Sequence, residues 1–277
     1  MCWSDCVPLG QPSQSLPTLN YHLVRDGNTR NDNTKELYKN SFILVSRAHG
    51  FVARSRNKKL AIFRSMALYL DSALISDAQL AMQWGWVSGI TTNPTLLAQS
   101  DCPPAQVLSE LKALCPGEIY YQLLSPDQVT MEAEAQLALK ILGPQLVLKI
   151  PATPVGFTVT ARLSSQIPCA VTGIYHPSQA KVAQAAGAAC AIAYVNRATR
   201  LLGDGIQLVA AMAAVLQGSS TQILAASLKS PDEAIAALQA GAEHLTLPLA
   251  LLEQLASHPL SDQTVTDFKA SGQGLLS

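Results

Sequence analysis

Eight short apolar runs, each followed by a stretch of helix-forming residues, recur between residues 67 and 249. The runs are ALYLD (67–71), GITTNP (89–94), EIYYQLL (118–124), LVLKIP (146–151), CAVTGIY (169–175), CAIAYVN (190–196), QILAASL (222–228) and HLTLPL (244–249). Between them lie segments rich in Ala, Leu, Gln and Glu, such as Pro126 to Leu142, Pro177 to Ala186, Gly205 to Leu216 and Pro231 to Ala240. Ser125-Pro126, His176-Pro177 and Ser230-Pro231 are helix-start signals, and Gly143, Gly187 and Gly241 are stop signals. Strand and helix in strict alternation predict a parallel sheet covered by helices. Eight units predict a closed (β/α)8 barrel of the TIM type. An open doubly wound sheet is the competing architecture, but no G-x-G-x-x-G follows any run.

The first 65 residues are unlike the rest. They hold ten Lys/Arg against four Asp/Glu, whereas the remainder holds nine against fifteen. Pro8, Pro12, Pro17 and the polar tract Arg25 to Thr34 carry turn chemistry and little periodicity. Three accounts compete for 1–65: an organelle-targeting segment, a basic arm for an acidic partner, or residues upstream of a true start at Met66. The acidic residues argue against targeting, and the clean strand directly after Met66 favours the third account. The expected organisation is an N-terminal extension over 1–65, poorly structured, and a barrel with a C-terminal helix over 66–277.

Composition narrows the function classes. The formal net charge is zero, which gives no support for nucleic-acid binding. No apolar run reaches the length of a membrane span. Six cysteines without a C-x-x-C pair or a His-rich neighbourhood argue against zinc and read as reduced thiols of a cytoplasmic protein. Cys169 and Cys190 lie in apolar runs, as small core residues do.

In a (β/α)8 barrel, chemistry gathers at the carboxyl ends of the strands. Polar residues stand there in nearly every run: Asp71, Thr91, Thr92, Asn93, Gln122, Lys149, Thr172, Tyr175, Tyr194, Asn196, Arg197, Ser227 and Lys229. Lys149 is the most telling. It sits in an aliphatic run of the kind buried on both faces, and an ammonium is costly to bury. Desolvation disfavours a lysine's charged form and frees the lone pair for attack on a carbonyl, as Schiff-base chemistry requires. Taken singly, each residue has a plainer account. Lys149 could reach water by its long stem, Asp71 could cap a helix, and Arg197 could be a solvated loop charge. Their coincidence at one barrel end makes the functional account the stronger one.

The motifs YLD (69–71), GITTNPTLL (89–97), LVLKIPAT (146–153), YVNR (194–197), GDGIQ (203–207), LAASLKS (224–230) and TLPL (246–249) resemble those of the small transaldolase and fructose-6-phosphate aldolase family. The resemblance covers about three quarters of the chain and leaves 1–65 without a counterpart. It implies Lys149 as the Schiff-base lysine, with Asp71 and Asn93 positioning it and the donor hydroxyls. It implies Arg197 and Ser227 as phosphate ligands, with Thr91, Thr92 and Lys229 beside them at the substrate. Gln122 and Tyr194 resemble the aldolase branch, where transaldolases have Glu and usually Phe. Tyr194 would then be the acid and base, acting through a water held by Gln122 and Thr172. The expected reaction is reversible cleavage of fructose 6-phosphate into dihydroxyacetone and glyceraldehyde 3-phosphate, without metal or organic cofactor. The alternatives are a transaldolase and a barrel that binds sugar phosphates without turnover. TGIY (172–175) and His176 depart from the aldolase pattern. The resemblance further implies sugar phosphate and hydroxyketone substrates and a homo-oligomer, often a decamer, that exchanges C-terminal helices.

Overall fold

The computed structural model describes residues 66–276; the expectations for 1–65 lie outside the described residues. Eight parallel strands pair in chain order and close, β1 against β8, into a barrel. The strands are β1 Ala67–Asp71, β2 Gly89–Thr91, β3 Glu118–Gln122, β4 Leu146–Pro151, β5 Cys169–Ile174, β6 Cys190–Tyr194, β7 Gln222–Ala226 and β8 His244–Leu247. Helices α1 Ile75–Gln83, α2 Pro94–Leu97, α3 Pro104–Leu114, α4 Gln128–Leu142, α5 Pro154–Leu163 and α6 Pro177–Ala185 cover the first half. Helices α7 Val195–Leu202, α8 Gly205–Leu216, α9 Pro231–Gln239, α10 Leu249–Ala256 and α11 Pro259–Ser271 complete the set. The (β/α)8 expectation is borne out.

Side-chain alternation along each strand divides the core in two. Outward residues such as Leu70, Ile90, Ile119, Leu148, Val171 and Ala225 pack against the helices. The helices answer with small residues one turn apart: Ala78 and Ala81 in α1, Ala180 and Ala183 in α6, Ala234 and Ala237 in α9. Ala loses no side-chain entropy in a helix and lets the backbone approach the sheet closely. Inward residues Tyr69, Tyr120, Val147, Ala170, Cys190, Ile192, Leu224 and Ala226 fill the barrel itself. Tyr69 donates to Glu118 Oε2 at 2.8 Å and Tyr120 to the same oxygen at 3.3 Å. Burial first, and the nearby carboxylate as well, pushes both phenols well above their ordinary range, so they stay donors. The barrel interior beneath the carboxyl ends of the strands is therefore filled.

Sequence-read boundaries shift where capping chemistry intervenes. GITTNP yields a strand only as far as Thr91, because Asn93 turns out to cap α2, accepting from Leu96 N–H at 3.0 Å. The helix expected from Pro126 starts at Gln128, because Asp127 is its cap. His176 caps α6 in a reciprocal arrangement with Gln179, which gives this departure from the family pattern a local structural role. In GDGIQ, Asp204 caps α8, and a Cβ on Gly205 would strike the Val195 carbonyl, so that motif builds the α7–α8 corner. Cys169 and Cys190 are buried, and burial pushes the Cys169 thiol up to about 12. No single helix among the described residues is long and apolar enough to cross a membrane.

Candidate active site

At the carboxyl ends of the strands a cavity of about 380 Å³ is lined by Asp71, Asn93, Gln122, Lys149, Tyr194, Arg197, Ser227 and Lys229, with Pro94 to Leu96 and Ala226. Eight of the sequence-predicted residues thus converge, drawn from six different strands or the loops after them. Lys149, on β4, is 2 % exposed. Its Nζ donates to the Thr92 carbonyl at 2.9 Å, and no carboxylate lies within ion-pairing distance among the described residues. The long stem does not carry this head out to bulk water. A lysine nitrogen on a cavity wall, with one neutral partner, is placed for carbonyl chemistry.

Thr91, Thr92 and Thr172 stand just behind that lining, each fully or almost fully buried. The Thr92 hydroxyl donates to the Tyr120 carbonyl at 2.8 Å. The Thr91 hydroxyl donates to Asp71 Oδ1 at 2.8 Å and lies 2.6 Å from the Thr246 hydroxyl. A carboxylate only accepts and a hydroxyl carries one proton, so Thr246 must donate to Thr91. The relay Thr246 to Thr91 to Asp71 spans the seam where the barrel closes. Residue type does not mark Thr246; inward alternation along β8 is the signal that could have found it.

Thr172 points inward by ordinary alternation after outward Val171, and a β-bulge follows it. Val171 pairs with Ala191 and Ile174 with Ala193, so β5 holds one residue more than its partner. Gly173 takes the left-handed conformation there, with φ +72°. The extra residue turns Ile174 outward into the helix-side core. Tyr175 then meets Tyr194 edge-on, with ring centroids 6.4 Å apart. The Thr172 hydroxyl donates to Tyr194 Oη at 3.1 Å. The unexpected TGIY run is thus the bulge itself. Across the barrel wall, Gln122 pairs in register with Lys149. Its buried Oε1 has no hydrogen-bond partner among the described residues.

Arg197 completes the wall. Its Cζ sits 5.1 Å from the centroid of the Tyr194 ring, a cation–π contact that fixes the face of the phenol. Ser227, after β7, has φ +60°, the left-handed region, which costs a side-chain-bearing residue about 1–3 kcal/mol. Asn93 spends its carbonyl on the α2 cap and still lines the cavity. The loop after Gln122 is held by Glu134 of α4, which accepts from Tyr121 Oη at 2.7 Å and from the N–H groups of Leu124 and Ser125. Burial acts against that carboxylate, but these hydrogen bonds outweigh it and hold Glu134 below its usual range. No cluster of metal-ligating side chains forms among the described residues. The cavity therefore joins an amine, a carboxylate, a phenol, an amide and a guanidinium within one volume. That set can bind a phosphorylated carbonyl compound and move protons on it.

Known proteins resemble this chain over the barrel. The family described as Transaldolase/Fructose-6-phosphate aldolase matches residues 68–275. The chain is 35% identical over 206 residues to a probable transaldolase of Symbiobacterium thermophilum, covering 73% of this chain and 95% of that protein. It is 34% identical over 200 residues to a probable transaldolase of Aquifex aeolicus, covering 71% and 92%. A probable transaldolase of Alkaliphilus metalliredigens is 34% identical over 214 residues, covering 76% of this chain and all of that protein. Built on a (β/α)8 barrel and matched along its length, the chain belongs to the transaldolase/fructose-6-phosphate aldolase family of enzymes.

Proposed function

We propose that this enzyme is a class I aldolase that cleaves fructose 6-phosphate reversibly into dihydroxyacetone and glyceraldehyde 3-phosphate. The Lys149 amine attacks the C2 carbonyl and loses water to give an iminium. The C3–C4 bond then breaks, its electrons pass into the iminium as an enamine, and the C4 hydroxyl gives up its proton as glyceraldehyde 3-phosphate departs. Protonation of the enamine carbon and hydrolysis release dihydroxyacetone and restore the amine. Tyr194 is the acid and base for these transfers. The Thr92 carbonyl holds the Lys149 amine, and Asp71, steadied by the hydroxyl relay, and Asn93 take the donor hydroxyls. Arg197 and Ser227 take the phosphate, with Lys229 adding positive charge.

The observation that carries this reading is the trio around Lys149. Tyr194 receives a hydrogen bond from Thr172 at 3.1 Å, and Gln122 presents a buried acceptor with no protein partner among the described residues. A buried acceptor of this kind in a native structure calls for a partner such as water. A water on Gln122, in the cavity that Tyr194 also lines, is what hydrolytic release requires. The names of the relatives, each a probable transaldolase, favour a second reading. There the enamine waits for an aldose phosphate and passes to its carbonyl. Incubation with fructose 6-phosphate alone, with glyceraldehyde 3-phosphate read by a coupled dehydrogenase, separates the two. The aldolase releases it without an acceptor. Release only after erythrose 4-phosphate is added makes the protein a transaldolase.

The assembly is proposed to be a homo-oligomer. Helix α11 buries none of its residues, while Leu260 and Phe268 are each 69 % exposed. A helix with apolar residues and none of them buried among the described residues is stabilised by docking elsewhere, and a second copy supplies that in this family by the resemblance. Light scattering is expected to give a multiple of the 29.4 kDa chain mass. A monomer at micromolar concentration rejects the assembly.

A further inference from the structure

Two side chains grip one phosphate well only if the loops that carry them are held at a fixed separation. Arg197 opens α7, and Ser227 follows β7 in a conformation that serine does not adopt unaided. Glu233 lies in the first turn of α9, half-buried, and is absent from the cavity lining. Its Oε1 accepts from Asn196 Nδ2 at 3.2 Å, and its Oε2 accepts from the Lys229 backbone N–H at 2.7 Å. The Asn196 backbone N–H in turn donates to the Ser227 carbonyl at 3.2 Å. Arg197 adjoins Asn196 in sequence, and Lys229 stands two residues beyond Ser227. A single carboxylate therefore ties the first turn of α7 to the segment after β7, and the third bond closes the ring around Ser227.

We propose that Glu233 is a positioning residue that sets the spacing of Arg197 and Ser227 for the phosphate of an aldose phosphate. This rests on the reading of Arg197 and Ser227 as phosphate ligands. The role suits a carboxylate in particular. Both partners of Glu233 are N–H donors, so two acceptor oxygens are needed. Glutamine offers one and turns a donor toward the other partner. Ser230 caps the helix by accepting the Glu233 N–H at 3.1 Å, so the side chain can be changed without removing the cap.

The test is aldol synthesis from dihydroxyacetone with glyceraldehyde 3-phosphate or with unphosphorylated glyceraldehyde as acceptor. In Glu233→Ala, the preference in kcat/KM for the phosphorylated acceptor falls about 10- to 100-fold, chiefly through KM. Asn196→Ala, which leaves the Lys229 bond intact, shows the same direction with a smaller fall. The double variant loses less than the product of the two single losses, because one strap is being cut twice. Glu233→Gln falls between wild type and Glu233→Ala. Equal losses for both acceptors, an unchanged preference, or independent losses in the double variant each overturn the strap. If the wild-type enzyme itself shows no preference, or Arg197→Ala does not erase it, the phosphate reading of Arg197 and Ser227 fails and the strap's role fails with it.

Discussion

Lys149→Ala is expected to lower turnover by about 10⁴- to 10⁶-fold, the scale seen when a covalent nucleophile is removed. Reductive trapping with borohydride in the presence of dihydroxyacetone should add a single adduct to the wild-type chain and none to the variant. Peptide mapping should place that adduct on Lys149. Lys229 is the other lysine on the cavity wall, and it is exposed. An adduct that persists on Lys229 in the variant would refute the assignment. Folding should survive the change, because Lys149 makes one hydrogen bond and no ion pair among the described residues. Lys149→Met keeps the volume and the stem contacts and should behave as the alanine variant does. A melting temperature as high as that of the wild type would show that the amine serves chemistry at no gain to the fold.

Tyr194→Phe should cost about 10²- to 10⁴-fold in fructose 6-phosphate cleavage, the usual worth of a positioned acid–base group. The substitution is selective. Phenylalanine keeps the ring face against Arg197 and the edge contact with Tyr175, and removes only the hydroxyl that Thr172 engages. Trapping at Lys149 should persist, since the iminium forms before the proton transfers at issue. Transfer of the three-carbon unit to erythrose 4-phosphate should suffer less than release into water, so the ratio of transfer to release should rise. Cleavage within about threefold of wild type would remove Tyr194 from the chemistry.

The architecture was legible because the same rule operates eight times. A strand buried on both faces shows as an unbroken aliphatic run, and Lys149 stood out because it interrupts one. Strand ends were harder. Thr92 and Asn93 read as strand continuation, but Asn93 is committed to the α2 cap, and local hydrogen bonding outweighs β propensity there. The bulge at Thr172 and Gly173 was visible only as an oddity in TGIY, since an extra residue has meaning only against the register of β6. The supporting carboxylates were not legible at all. Nothing in the sequence sets Glu134 and Glu233 apart from other helix charges, and their partners Tyr121 and Asn196 lie 13 and 37 residues away. Thr246 reaches Thr91 over 155 residues, a contact that exists only once the barrel has closed. Catalytic side chains announce themselves by residue type and strand position; the groups that hold them do not.

The plug of Tyr69, Tyr120 and their apolar neighbours makes the cavity a cul-de-sac. Whatever enters at the strand ends must leave by the same doorway. On the proposed mechanism, the first fragment to depart retreats along the path that a returning aldehyde would take, while the remaining fragment is still bound to Lys149. Lyase and transferase then differ in traffic more than in parts: the outcome is a race between protonation of the tethered fragment and re-entry of an aldehyde. A crowded doorway favours transfer, and a dilute one favours release.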